Sequence, residues 1–173
     1  MTRRFPLAAL AIAAALSLQA RADGAPNDAQ IAAIVVTANQ VDVEAGRFAV
    51  DRTRSAKVKA FAQQMVTDHS GVNKMAVDLV TRLKVRPQDN ATAQSLQKGG
   101  DDNLARLRAL DGTAFDNAYV AHEVVYHEAV LDALDKVLIP SASHAELKAL
   151  LLKVRPAIDA HLQHARHLLG ELK

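Results

Sequence analysis

Three of the chain's seven histidines stand where helical spacing calls for an apolar side chain. Ala62, Met65, His69, Val72, Ala76, Leu79 and Leu83 recur in steps of three and four, which places His69 inside the buried stripe of a helix. Leu147, Leu151, Val154, Ile158, His161, Ala165, Leu168 and Leu172 do the same for His161. A third line, Val120, Glu123, His127, Val130, Leu134 and Val137, sets Glu123 and His127 one turn apart on one face. On a fourth stretch Glu44 follows Val41 by three and precedes Phe48 by four, at the border of the seam. An imidazole or carboxylate buried without partners costs roughly 2–7 kcal/mol. These groups therefore need one another, water or a metal.

Three chemistries are open to such a set. A hydrogen-bonded polar layer would fix helix register, as a buried polar residue does in coiled coils. A metal site could be built from His69, His127, His161 and one of Glu44 or Glu123, a donor set suited to zinc, copper(II), nickel or iron. General acid–base catalysis by a buried His–Glu pair is the least supported, because no nucleophile or oxyanion donor accompanies it. The absence of Cys excludes thiolate zinc, iron–sulfur centres, a Cys nucleophile and a disulfide scaffold, and three scattered Met leave no soft copper(I) site.

Other polar residues carry less. Asp68, beside His69, could orient a ligand from outside the site, and a buried hydroxyl on Tyr119 or Tyr126 would seek a polar partner in the His layer. His164 and His167 continue from His161 in steps of three, a ridge that drifts to the surface. His122 points elsewhere than Glu123, and His144 belongs to a helix cap.

The elements that must position these groups are helices. Half of the 173 residues are hydrophobic, 34 are Ala and only 3% are aromatic, with 7 Gly and 5 Pro, which favours helix over sheet. The first helix is expected from Asp28 to about Asp51, after Pro26-Asn27-Asp28, and the second from about Ser55 to Lys84, closed by Arg86-Pro87. Residues 88–112 are polar, with Gly99-Gly100 in the middle, and read as a crossover carrying one or two short helices. Thr113–Asp116 matches a capping box that would open a third helix running to about Leu138, with Pro140 closing it. Ser143–Glu146 matches another, opening a fourth helix in which Pro156 is expected to cause a kink. Two short links and one long one define an all-α, antiparallel four-helix bundle with a crossover. Counted from the first turn, Glu44 and His69 are offset by about 10 Å along the axis.

The amino terminus reads as an export signal. Arg3 and Arg4 precede an apolar run from Phe5 to Leu18, and Ala20-Arg21-Ala22 supplies a small-x-small cleavage pattern. That run is shorter than the about 20 residues needed to span a bilayer. Residues 1–22 are therefore expected to be removed, leaving 23–173 as one periplasmic domain without a transmembrane segment. The remaining chain has 18 Lys and Arg against 19 Asp and Glu, a formal charge of −1, and no basic stripe for nucleic acid.

Four stretches together resemble one family: Glu44-Ala-Gly-Arg-Phe-Ala49, Phe61-Ala-Gln-Gln-Met-Val-Thr-Asp-His69, Gly112 with Phe115-Asp-Asn-Ala-Tyr119 leading to His127, and Arg155-Pro156 followed by His161-Leu162. The chain from about Asp28 to Leu169 is similar to the exported bacterial proteins of domain-of-unknown-function family 4142. That resemblance implies a ferritin-like, mainly four-helix bundle in the cell envelope and brings no established activity. The family-like positions are Glu44, Asp68, His69, Tyr119, His127 and His161. Ferritin-like di-iron enzymes carry Glu-x-x-His on two helices. Here Val66 and Ile158 stand three residues before His69 and His161, so that oxidase motif is missing. The expectation is an exported bundle that binds one transition metal (zinc, iron or copper). The alternative is an envelope module that docks a protein partner or a second copy, with the polar layer serving register alone.

Overall fold

In a computed structural model describing residues 24–172, the chain runs up and down through five helices, with no strand among those residues. They are α1 (Asp28–Arg52), α2 (Ala56–Arg82), α3 (Ala91–Arg108), α4 (Gly112–Ala133) and α5 (Ala145–Glu171). A π-helical turn, Leu134–Leu138, and a short helical turn, Ile139–Ser141, extend α4. The export signal read at residues 1–22 lies outside the described residues.

Local side chains start most of these helices. Asn27 Oδ1 accepts the Gln30 backbone N–H (2.9 Å) while Gln30 Oε1 accepts that of Asn27 (3.0 Å), satisfying two orphan donors reciprocally. Ser55 and Asn90 cap α2 and α3 in the simpler one-way form. The two later capping boxes are corrected. Helix α4 begins at Gly112, whose φ of 53° is the left-handed region that glycine tolerates, and Thr113 already lies inside it. Asp116 is turned to the buried Thr53 hydroxyl instead (2.5 Å). At α5 the cap is His144, whose Nδ1 accepts the Glu146 N–H (3.3 Å). Ser143 and His144 give their own N–H groups to the Asp28 carboxylate (2.9 and 3.1 Å), which ties the start of α5 to the start of α1.

The crossover is a single 18-residue helix, longer than the short helices expected there, and it lies along α1. Gly100 permits this: a Cβ there would stand 2.7 Å from Val41 Cγ1. The ends of α3 are pinned at both ends of α1, through Gln88 N–H to Ala29 O (2.9 Å) and an Arg52–Asp111 ion pair (2.7 Å). Because α3 returns the chain to the Arg52 end, α1 against α2, α2 against α5 and α5 against α4 are all antiparallel pairs. Gly46 allows close approach of α1 to α2, where a Cβ would meet Val66 Cγ2 at 2.9 Å and Ala62 O at 3.1 Å. Helix α5 continues unbroken through Pro156.

The core is divided in two. Toward the Arg52 end, Phe61, Phe115, Tyr119, Met65, Leu107 and Leu168 form one cluster. Toward the Asp28 end, Ile31, Ile34, Leu134, Leu147, Leu151 and Ile158 belong to the other. A layer of polar side chains lies between them. No described helix is long and apolar enough to cross a membrane.

Candidate metal centre

The polar layer draws one stretch from each of α1, α2, α4 and α5. Asp42 lies 14 residues beyond the start of α1, His69 13 before the end of α2, and His127 14 before Ser141, while His161 is 16 beyond the start of α5. A spread of three residues is about 5 Å along helices rising 1.5 Å per residue. Glu44 is not the α1 contributor. Two residues turn a helix by about 200°, so Glu44 faces away from Asp42 and instead accepts the Gln40 side-chain amide (2.8 Å). Asp42, not singled out by the sequence, is 2% exposed and occupies the centre.

The three histidines form a nearly equilateral group, with ring centroids 5.5 Å apart for His69–His127, 5.2 Å for His69–His161 and 5.5 Å for His127–His161. One nitrogen of each ring is held by an oxygen outside the group. His69 Nδ1 faces Asn39 Oδ1 at 2.7 Å, and the Asn39 amide nitrogen donates to Val35 O (2.8 Å), which settles that the oxygen faces the ring. His127 Nδ1 donates to Glu123 O (2.9 Å), and His161 Nε2 to Asp68 Oδ2 (2.9 Å). Each of those nitrogens therefore carries the proton. The other three, His69 Nε2, His127 Nε2 and His161 Nδ1, are buried and have no hydrogen-bond partner among the described residues.

Both Asp42 carboxylate oxygens are in the same condition. Asp42 Oδ2 stands 3.0 Å from His69 Nε2 and 3.5 Å from His127 Nε2. Donor atoms of His69, His127 and His161 lie within 4.8 Å of one another, and so do those of Asp42, Glu123 and His127. Glu123 Oε2 and the Tyr119 hydroxyl are also buried without partners among the described residues. Buried polar atoms are almost always paired, so the inward ring nitrogens and the Asp42 carboxylate, gathered at one place, call for a common partner.

Electrostatics keep most of the set ready for a cation. Burial pushes Asp42 up, but His69, His127 and His161 pull harder and bring it down to about 2, so the carboxylate is ionised. Burial lowers His127 to about 4 and also lowers His161, leaving both rings neutral. Burial lowers His69 too, but the neighbouring Asp42 outweighs it and raises this ring on balance. Burial and then Asp42 drive Glu123 well above the carboxylate range, so in the metal-free protein it holds a proton.

The remaining candidates fall outside the group. Tyr126 gives its hydroxyl to Ala38 O (2.7 Å), not to the His layer, and its ring packs at nearly a right angle against that of His127. His122 stacks on Tyr126, while His164 lies at the surface against Gln64 and Phe61. Asp42 and Asn39 left one usable signal: with Val35, Gly46 and Ala49 they form a second helical line on α1.

Fold and site together define an all-α bundle with a buried His/Asp/Glu cluster that could hold a metal. The chain belongs to the family described as a domain of unknown function, DUF4142, whose model matches residues 13–168. Neither the curated proteins nor the solved structures contain a match.

Proposed function

We propose that this chain is an exported, periplasmic bundle that binds one divalent transition metal through His69, His127, His161 and Asp42. The single observation that carries this reading is the convergence of three ring nitrogens and the Asp42 carboxylate, with an oxygen behind each ring. His127 and His161 each give one N–H to an outside oxygen and are neutral, so the other nitrogen of each points a lone pair at the shared space. His69 is held the same way by Asn39, and a cation beside Asp42 would take the place of the proton that Asp42 favours on its Nε2. Metal-bound histidines are typically oriented in this way, by a carboxylate, carbonyl or amide behind the ring. Three imidazoles and a carboxylate suit zinc, iron or copper. Glu123 is the adjacent carboxylate, and its ionised form would neutralise the charge of a divalent ion already facing Asp42. Export is supported by Arg3, Arg4, the apolar run 5–18 and the Ala20-Arg21-Ala22 pattern.

One observation favours the alternative, a register device in an envelope structural or docking module: His69 and Asp42 stand at ion-pair distance from each other and can pair directly. Metal content separates the two. Protein purified from the periplasm without a His tag should carry close to one equivalent of zinc, iron or copper. The His69→Ala/His127→Ala/His161→Ala variant should carry none while keeping a helical circular-dichroism spectrum. Undiminished binding in that variant would overturn the proposal, as would a wild-type protein that stays metal-free after incubation with each ion.

A further inference from the structure

Between α1, α2, α4 and α5, with Leu96 of α3 at one wall and immediately on the Asp28 side of His69, lies a pocket walled mostly by buried residues and partly open to the surface, with room of about 50 Å³. Its walls include Ile34, Val72, Tyr126, Leu134 and Leu151, and the polar side chains at its edge are Asn39 and His69. Asn39 is engaged with His69 Nδ1 and Val35 O, the Tyr126 hydroxyl with Ala38 O, and His69 Nε2 stands against Asp42 in the polar layer. A buried water needs two to four polar partners, and apolar cavities without them stay dry. The volume is a third of the about 150 Å³ of an engineered cavity that takes benzene, so a ring or an acyl chain does not fit.

A second observation falls at the same place. The π-helical turn Leu134–Leu138, in which the Ile139 N–H reaches back five residues to Leu134 O, supplies both Leu134 and Leu138 to the cavity wall. Such turns insert a residue into a helix and are frequent at functional sites. The widened turn lies against the cavity, and His69 is a wall common to the cavity and the polar layer.

We propose that this cavity is a binding chamber for one neutral diatomic gas molecule, of the class of dioxygen or nitric oxide, placed beside the His/Asp centre. Size excludes larger guests, and the dry lining disfavours ions and water. The chamber is independent of the proposed metal; its use as a waiting place for a metal-bound gas rests on that reading.

The test separates the two. Crystals of the metal-free protein pressurised with xenon should show a single atom between Val72, Leu134 and Leu151. The Val72→Phe variant, which fills the space, should lose it, and Val72→Ile, a milder filling, should reduce its occupancy if Val72→Phe fails to fold. Xenon absent from the wild-type cavity, or unchanged by the filling variants, overturns the chamber whatever the metal result. With ferrous iron loaded, nitric oxide should bind more slowly to Val72→Ile than to wild type. An unchanged rate overturns the link to the centre, while failure of iron to load bears on the metal proposal and leaves the xenon result standing.

Discussion

The two ends of the core are built differently. At the Arg52 end Phe48, Phe61, Phe115 and Tyr119 pack ring against ring, with centroids 5.8 Å apart for Phe48–Phe115 and 6.4 Å for Phe115–Tyr119. Phe61, Phe115, Tyr119 and Met65 are fully buried. At the Asp28 end the side chains are aliphatic apart from Tyr126, and this end holds the π turn and the cavity. Close packing transmits small changes and punishes them, while space beside a wall lets it relax. The His/Asp layer therefore rests on a rigid half and adjoins a yielding one. An ion held by four helices needs the first, and a small guest needs the second.

The largest effect should come from breaking the rigid half. Phe115→Ala should cost about 3–5 kcal/mol. Leu151→Ala, beside the existing cavity, should cost about 2–3 kcal/mol, at the low end for its type. Denaturant melts check both, and equal costs would erase the contrast.

Acid tests the layer between the halves. His127 is held down to about 4 from an ordinary 6.5. The unfolded chain thus binds a proton there that the folded chain refuses. That stability is complete above about pH 6.5 and is lost as pH falls toward 4, by roughly 1.4 kcal/mol per unit of displacement. His122, also lowered to about 4, adds in the same direction. His69 and Glu123 act in the opposite sense: their pKa values are raised, so their contribution is present at low pH and lost as pH rises. The His127→Gln variant of the metal-free protein should therefore lose less stability than wild type between about pH 6.5 and 4 in thermal melts, and parallel profiles would contradict the neutral, buried His127.

The supports behind the rings differ as the two halves do. Asn39 is buried, whereas the Asp68 side chain is 41% exposed. Asn39→Ala should weaken metal binding about 100-fold and Asp68→Asn about 10-fold, as read by competition with a chelator. The reverse order would mean that His161, not His69, is the tightly oriented ligand.

The smallest effect is the sharpest contrast, because its chemistry is matched. Val120→Ile adds one methyl to the rigid half and should cost about 1 kcal/mol or more. Val72→Ile adds the same methyl at the cavity and should be neutral or slightly stabilising. Equal destabilisation of the two would show that the Asp28 end is as tightly filled as the other.

Helices with one buried stripe were the most legible in the sequence. α2 and α5 each follow a single apolar line, so His69 and His161 stood out as the polar members. α1 is covered by α2 on one side and by α3 on another, and 12 of its 25 residues are buried. With two apolar lines to choose from, the spacing through Val41 and Phe48 hid Asp42 and promoted Glu44. The crossover was obscured for a related reason: Gly99-Gly100 looks like a helix break, yet Gly100 is where α3 must approach Val41. The capping box at Thr113 failed because Gly112 supplies the left-handed turn and Asp116 serves Thr53, a partner 63 residues away. Long-range pairings of that kind leave no local pattern.

The most direct test of the central claim is X-ray absorption at the metal edge of protein loaded with one equivalent of zinc. The account predicts three imidazole nitrogens at about 2.0–2.1 Å and carboxylate oxygen at a similar distance, with the imidazole signal reduced in the His127→Ala variant. A shell of water and carboxylate oxygens alone, or an imidazole signal that survives His127→Ala and disappears when surface His164 and His167 are replaced, would contradict it.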